Sequence, residues 1–303
     1  MARTMRVFLT GGTGYIGSAV LEALIRSHHH VDVLVRTSPA ATALQARGVQ
    51  PVRGSVLEPH TWIEAAARAD GIVHAAAESG PRARQFDDAV VTALTSLAPR
   101  QDRFIVYTSG VWAIGNASIP ADERVALNPT ELVAWRPAHE QRILDTASSG
   151  VRAVVVRPGI VYGGGRGIVG DLLRDACNGL VRVVGAGENH WPLIYDRDLG
   201  ELYARLVNNP TASGVYHAND EGDETVNTIV AALSDHSAIR PSVRHVPLPE
   251  ARKKMGPYAD ALALDQIVRS PRARSLGWNP TLHSVSGNIA RLLEEWRRSR
   301  EAA

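Results

Sequence analysis

Three features of the sequence predict an α/β fold, a doubly wound parallel sheet covered by helices on both faces. The first is a glycine turn, Gly11-x-x-Gly14-x-x-Gly17, set between an apolar run and a helical pattern. The second is the alternation of short β-branched segments with amphipathic stretches over the first part of the chain. The third is composition: 303 residues, 45% hydrophobic and 21% charged, suffice for one large α/β domain with a smaller appended part.

The elements follow in order. Arg6 to Thr10 (RVFLT) reads as a strand, and from Tyr15 the apolar residues Ile16, Ala19, Val20, Ala23 and Leu24 recur at helical spacing. Val31 to Val35 is the second strand, followed by an alanine-rich helix and the strand Gln50 to Gly54. A helix over Trp62 to Arg68 precedes the segment Gly71 to Ala77 (GIVHAAA); Arg103 to Thr108 and Arg152 to Arg157 are the fifth and sixth strands. Beyond Pro158 glycine loops become frequent, so residues 1–160 are expected to bind a dinucleotide. Residues 161–303 are expected to be mostly a substrate-binding region, interleaved with late sheet strands and closed by a helix over Ser284 to Arg298.

Several function classes are disfavoured. A net charge of +2 gives no basic field for nucleic acid, and Arg297, Arg298 and Arg300 read as a solvated helix end. No stretch approaches the ~18 apolar residues that span a bilayer. The single cysteine, Cys177, excludes an intramolecular disulfide, and the N-terminal residues run straight into a strand, so a cytoplasmic protein is expected. His28, His29 and His30 do not share one face and have no acidic or cysteine companions, so no metal site is expected.

The glycine turn carries the chemistry. Its first glycine permits the tight turn, the second admits a pyrophosphate to the backbone, and the third lets helix and strand pack closely. Free N–H groups and the positive helix end favour the anion. At the end of the second strand an acidic residue would bind both ribose hydroxyls and repel a 2′-phosphate. The residue here is Arg36, whose guanidinium suits a phosphate, which argues for NADP (NADPH) over NAD. Asp32 lies at the wrong end of that strand.

These residues, with RGSVLEP (53–59), VHAAAE (73–78), VYTSGVW (106–112), RPGIVYG (157–163), LIYDRDLGELY (193–203) and SLGWNP (275–280), resemble the extended short-chain dehydrogenase/reductase family, in its atypical, epimerase-like branch. The resemblance implies a Rossmann-type sheet with Gly11, Thr13, Gly14, Tyr15 and Ile16 at the pyrophosphate. It puts Ser55 and Val56 at the adenine, Ala75, Ala76 and Ala77 along the cofactor, and Thr108 near the central ribose. Pro158, Gly159 and Val161 would line the nicotinamide. The family often dimerises through helices, which makes a homodimer an expectation, and a small-molecule substrate is implied.

The catalytic set departs from the family's serine, tyrosine and lysine. On a helix read over Glu131 to Ser148, Trp135 falls at the tyrosine position and His139 at the lysine position, four residues apart on one face. An indole N–H donates a hydrogen bond but no proton at neutral pH. Pro137 signals a helix start or kink and weakens that register. The family's hydroxyl aligns with Gly110 more naturally than with Ser109, which stays a catalytic candidate if the loop is bulged. His139 is either a ribose ligand that can also join a proton relay, or a buried histidine with a structural partner; Trp135 is a pocket wall or core; Tyr162 is a substitute proton donor, pocket lining or structure. His190 and Arg166 are further loop candidates. The function expected is an NADP(H)-dependent oxidoreductase of the carbonyl reductase type. A redox-neutral epimerase, dehydratase, isomerase or cyclase, and a noncatalytic NADP(H) sensor, are the alternatives.

Overall fold

The computed structural model describes residues 3–97, 100, 102–237 and 240–301, which fall into two compact units. Unit 1 is built from residues 1–109, 135–156 and 199–216, and unit 2 from 110–134, 157–198 and 217–303. The chain passes between the two units repeatedly.

Unit 1 opens with β1 (Arg6–Thr10), α1 (Tyr15–Arg26), β2 (His30–Val35), α2 (Ser38–Gln45) and β3 (Gln50–Arg53). Then come α3 (Ile63–Arg68), β4 (Gly71–His74), α4 (Ala83–Thr95) and β5 (Phe104–Thr108). Unit 2 receives β6 (Ala117–Ala121) before the chain returns with α5 (Arg136–Asp145) and β7 (Arg152–Pro158). Unit 2 then takes β8 (Ile160–Tyr162), α6 (Gly167–Cys177), β9 (Leu180–Val184), β10 (His190–Trp191) and β11 (Leu193–Tyr195). The chain supplies α7 (Asp196–Asn208) and β12 (Gly214–Ala218), and ends in unit 2 with β13 (Glu224–Thr225), α8 (Val226–His236), β14 (Ser242–Val246), β15 (Gln266–Val268) and a last helix, Ile289–Glu301.

The main sheet has seven strands in the order β12-β7-β5-β4-β1-β2-β3. From β1 the chain builds outward through β2 and β3, then starts again at β4 on the other side. This reversal leaves a crevice at the carboxyl ends of β1 and β4, where ligands bind in open parallel sheets. The register aligns Thr10 with Leu34 and with His74, His74 with Tyr107, and Val35 with Arg53, so these strand ends share one edge. Between the sheet and α3, α4 and α5, Phe8, Trp62, Ile72, Val90, Ile105 and Ile143 form one core, with Phe8 and Trp62 stacked 5.7 Å apart.

Unit 2 has its own core, in which Tyr162, Leu173, Trp191, Tyr195, Ile229 and Leu292 are buried. Asp198 joins two distant segments of this unit: its carboxylate accepts from the Thr281 N–H and hydroxyl and from the Leu282 N–H, and its carbonyl accepts from the Trp278 indole.

The helix expected over Glu131 to Ser148 is shorter and broken at both ends. Glu131–Val133 is a 3₁₀ turn, α5 starts at Arg136 with Pro137 in its first turn, and Thr146–Ser149 is again 3₁₀. Proline is tolerated there because first-turn N–H groups have no intrahelical partner.

Candidate functional site

The glycine turn is packed so tightly that side chains are excluded. Gly11 has φ +78°, and a Cβ on it would lie 2.5 Å from the Ala76 backbone nitrogen. A Cβ on Gly17 would lie 2.0 Å from the Gly11 carbonyl oxygen. The Gly14 N–H donates to that same carbonyl at 2.7 Å, closing the turn into α1. Gly14 caps α1 without a side-chain hydrogen bond, and no acidic residue stands in the first turn. The helix therefore presents its first N–H groups, with Thr13, Tyr15 and Ile16 around them, to an incoming anion. A cradle that a methyl group would fill, at an uncapped helix start, fits a dinucleotide diphosphate.

Arg36 is exposed just past β2. Thr37 caps α2 by accepting from the Ala40 N–H, and Arg53, at the end of β3, donates to the Ser38 hydroxyl. Arg36 thus follows β2 next to the strand end at Arg53 and two residues before the start of α2, and of these two arginines the sequence pointed only to Arg36. Ser55 and buried Val56 follow β3, with the Ser55 carbonyl accepting from the Trp62 indole at 3.0 Å. Ala75 and Ala76 lie against Gly11, and Ala77 continues this loop after β4. Thr108 ends β5; its hydroxyl is bonded to the buried Tyr203 hydroxyl at 2.7 Å, and its carbonyl accepts from Arg136 at 3.2 Å.

From α5, Arg136 and Glu140 reach the end of β5, at Thr108 and Ser109. His139 is buried, and its Nδ1 lies 2.7 Å from Asp87 while its Nε2 faces Asp88 at 3.5 Å. Its Nδ1 is thereby bonded to a carboxylate of α4. Asp87 also accepts from the Tyr107 hydroxyl at 2.6 Å and contacts His74 Nε2 at 3.3 Å, and His74 Nδ1 lies 2.7 Å from the Thr10 hydroxyl. Burial alone would push the Asp87 carboxyl up; hydrogen bonds from His139 and His74, with Arg136 nearby, hold it well below the usual range. Trp135 stands at the start of α5, its ring 5.0 Å from that of His139 and under the Arg136 guanidinium at 4.6 Å. Ser109 is buried and donates to Glu140, so its hydroxyl is also committed within the protein.

In unit 2, Pro158, Gly159 and Val161 are buried, and a Cβ on Gly159 would meet the Pro192 carbonyl at 2.5 Å. Tyr162 is fully buried and donates to Asp220 at 3.0 Å. Burial and the Asp220 charge push its phenol far above the ordinary range, which argues against a proton donor at neutral pH. Asp220 itself is pushed up to about 7, chiefly by burial. Such a carboxyl stabilises the fold when protonated: its full contribution is present below about pH 4 and is lost as pH rises through about 7. Asp220→Asn is therefore expected to raise stability by roughly 2–4 kcal/mol at pH 8 and to change it little at pH 4. Urea melts at the two pH values check this; an equal effect at both removes the titration as cause. Arg166 is exposed. No cluster of three or more metal-ligating side chains occurs among the described residues, and no helix among them is long and apolar enough to cross a membrane.

Residues 7–219 match the NAD dependent epimerase/dehydratase family. A ketoreductase of Stigmatella aurantiaca, named for 4-hydroxy-2-methyl-3-oxo-4-farnesyl-3,4-dihydroquinoline-1-oxide, is 31% identical over 261 residues, covering 82% of this chain and 78% of that protein. Among solved structures, UDP-glucose 4-epimerase of Thermus thermophilus in complex with NAD superposes with a TM-score of 0.80 at 21% identity, covering 97% of this chain and 99% of that one. Human epimerase family protein SDR39U1 with NADPH gives 0.72 at 21% identity, covering 96% and 99%. The fold is the one these proteins share, and both nucleotides occur on it. The chain belongs to the NAD dependent epimerase/dehydratase family.

Proposed function

We propose that this chain is an NADP(H)-dependent oxidoreductase that interconverts a carbonyl and an alcohol on a small metabolite. The observation that carries the cofactor choice is the pair Arg36 and Arg53 beside Ser38 and the start of α2, with no acidic side chain following β2. A 2′-phosphate there gains charge-assisted hydrogen bonds, whereas a bare ribose diol finds no carboxylate to accept from it. The ketoreductase relative favours reduction, and NADPH on the human neighbour accords with the phosphate reading. When bound, the cofactor supplies the hydride. The chain's own residues grip its diphosphate at Gly11 to Ile16, flank its adenine with Ser55 and Val56, and present Arg136 and Thr108 towards the ribose side. A single thiol accords with a reducing cytoplasm, and a homodimer belongs to the same proposal.

Fluorescence titration with NADPH and NADH, followed by a carbonyl panel monitored at the reduced-nicotinamide band, tests this reading. Preferred binding of NADPH with stoichiometric consumption supports it; product without net consumption transfers the chain to redox-neutral chemistry. Arg36→Asp is expected to weaken NADPH by about 10- to 100-fold with little change for NADH, and Arg53→Ala by several-fold. An unchanged NADPH/NADH ratio in both variants would mean that neither arginine meets the phosphate.

A further inference from the structure

Arg136 is a cation whose hydrogen-bonding capacity the fold leaves largely unused. It is half-buried, and among the described residues it makes one hydrogen bond, to the Thr108 carbonyl at 3.2 Å, and no ion pair. Its guanidinium lies over the Trp135 ring, 4.6 Å from the centroid, so an indole holds one side of it. Other half-buried arginines meet carboxylates: Arg142 meets Asp88, Arg269 meets Asp223 and Arg274 meets Glu221. Asp87 acts on Arg136 through its charge alone, because its oxygens are taken by His74, His139 and Tyr107, while Glu140 accepts from Ser109. A guanidinium has five N–H donors, and most of those on Arg136 are left for something else.

Its place in unit 1 narrows what that is. Trp135, Arg136, Thr108 and the glycine turn all belong to this unit. β5 lies two strands from β1, with β4 between them, and Thr10, His74 and Tyr107 are in register. At a spacing of about 4.8 Å per strand, the end of β5 stands about 10 Å from the end of β1. A dinucleotide gripped at the glycine turn sends its adenosine half towards β2 and β3, and its other half over β4 and β5. Its acidic groups are then met before β5 is reached: the diphosphate by the amides that open α1, and the 2′-phosphate by Arg36 and Arg53. Ribose and nicotinamide, which make up the other half, carry no acid. The guanidinium at the end of β5 therefore faces an anion that the cofactor does not supply.

We propose that Arg136 binds a carboxylate of the substrate, so that the chain acts on an oxo acid or hydroxy acid in preference to a neutral carbonyl compound or alcohol. The planar fork suits both carboxylate oxygens, and the Thr108 carbonyl and the Trp135 ring fix its direction beforehand. The contact determines specificity and takes no part in hydride or proton transfer. It rests on the reading of the chain as a carbonyl–alcohol oxidoreductase.

A series of oxopentanoates with the ketone at successive carbons, each paired with its methyl ester, tests this in the NADPH-dependent assay. For the best acid of the series, wild-type kcat/KM is expected to exceed that of its ester by about 10- to 100-fold, and Arg136→Gln is expected to abolish the difference. Glutamine keeps a donor for the Thr108 carbonyl, and thermal melts check the fold. Arg136→Lys keeps the charge without the fork, and its acid-to-ester ratio is expected to fall between the two. Pentanoate, which has the carboxylate and no ketone, is expected to bind the NADPH-loaded wild type in calorimetry and to bind Arg136→Gln about 10- to 100-fold more weakly. A ratio within about threefold of wild type in both variants overturns the contact, and so does a wild type that does not prefer the acids; in either case the oxidoreductase reading stands. Pentanoate binding that depends on Arg136, with no turnover of any pair, keeps the contact and overturns the oxidoreductase reading. Neither binding nor turnover overturns both.

Discussion

Gly11→Ala is expected to lose pyridine-nucleotide binding by about 100-fold or more while the chain still folds. The added methyl meets the Ala75–Ala76 backbone at 2.5 to 2.6 Å, and the residue must keep φ +78°, a conformation that L side chains adopt at a cost. Strain and overpacking together come to about 2–5 kcal/mol. The turn relieves this by moving, and a displacement of ~1 Å in groups that must meet a ligand costs about 100-fold. Fluorescence titration of NADPH reads the loss directly, with circular dichroism to confirm the fold. Wild-type affinity in this variant would mean that the diphosphate does not sit on the amides of this turn.

Asp87→Ala is expected to destabilise unit 1 by about 3–5 kcal/mol, because it strands two imidazoles and a phenol that now share one buried carboxylate. The pH dependence has a definite sign. A carboxyl depressed in the folded state contributes its stability above the ordinary carboxylate range and loses it as pH falls. The gap between wild type and Asp87→Ala should therefore narrow in acid. Urea melts at neutral and acidic pH measure it; a gap below about 1 kcal/mol at neutral pH would show that the histidines find other partners.

How far the sequence could be read depends on the range of the interactions that decide each feature. Strand periodicity is local, so Arg6–Thr10 was located to the residue and most other sheet strands to within one or two. The glycine turn is also local: strand, turn and helix are contiguous, and the residues that forbid a Cβ come from the same crevice. Arg136 was missed because a spacing of four from Trp135 pointed to His139. Pro137 was the available signal, since a proline in the first turn marks Arg136 as the start of α5 at the sheet edge. Asp87, Asp220 and Asp265 meet His139, Tyr162 and His190 across 52, 58 and 75 residues of chain, and no spacing rule reaches that far. Each is a carboxylate whose meaning comes from what tertiary packing puts against it. In sequence each reads as an ordinary polar residue.

The order in which the seven-stranded sheet acquires its members has a consequence for biosynthesis. β12 begins at Gly214, whereas its neighbour β7 ends at Pro158, and β8 to β11 are made in between. During vectorial synthesis on a ribosome, β7 emerges with one flank of unpaired backbone amides and carbonyls and keeps it while those intervening strands are translated. Such a flank templates association with other chains. The nascent protein thus passes through a stretch of translation in which chaperone cover matters most.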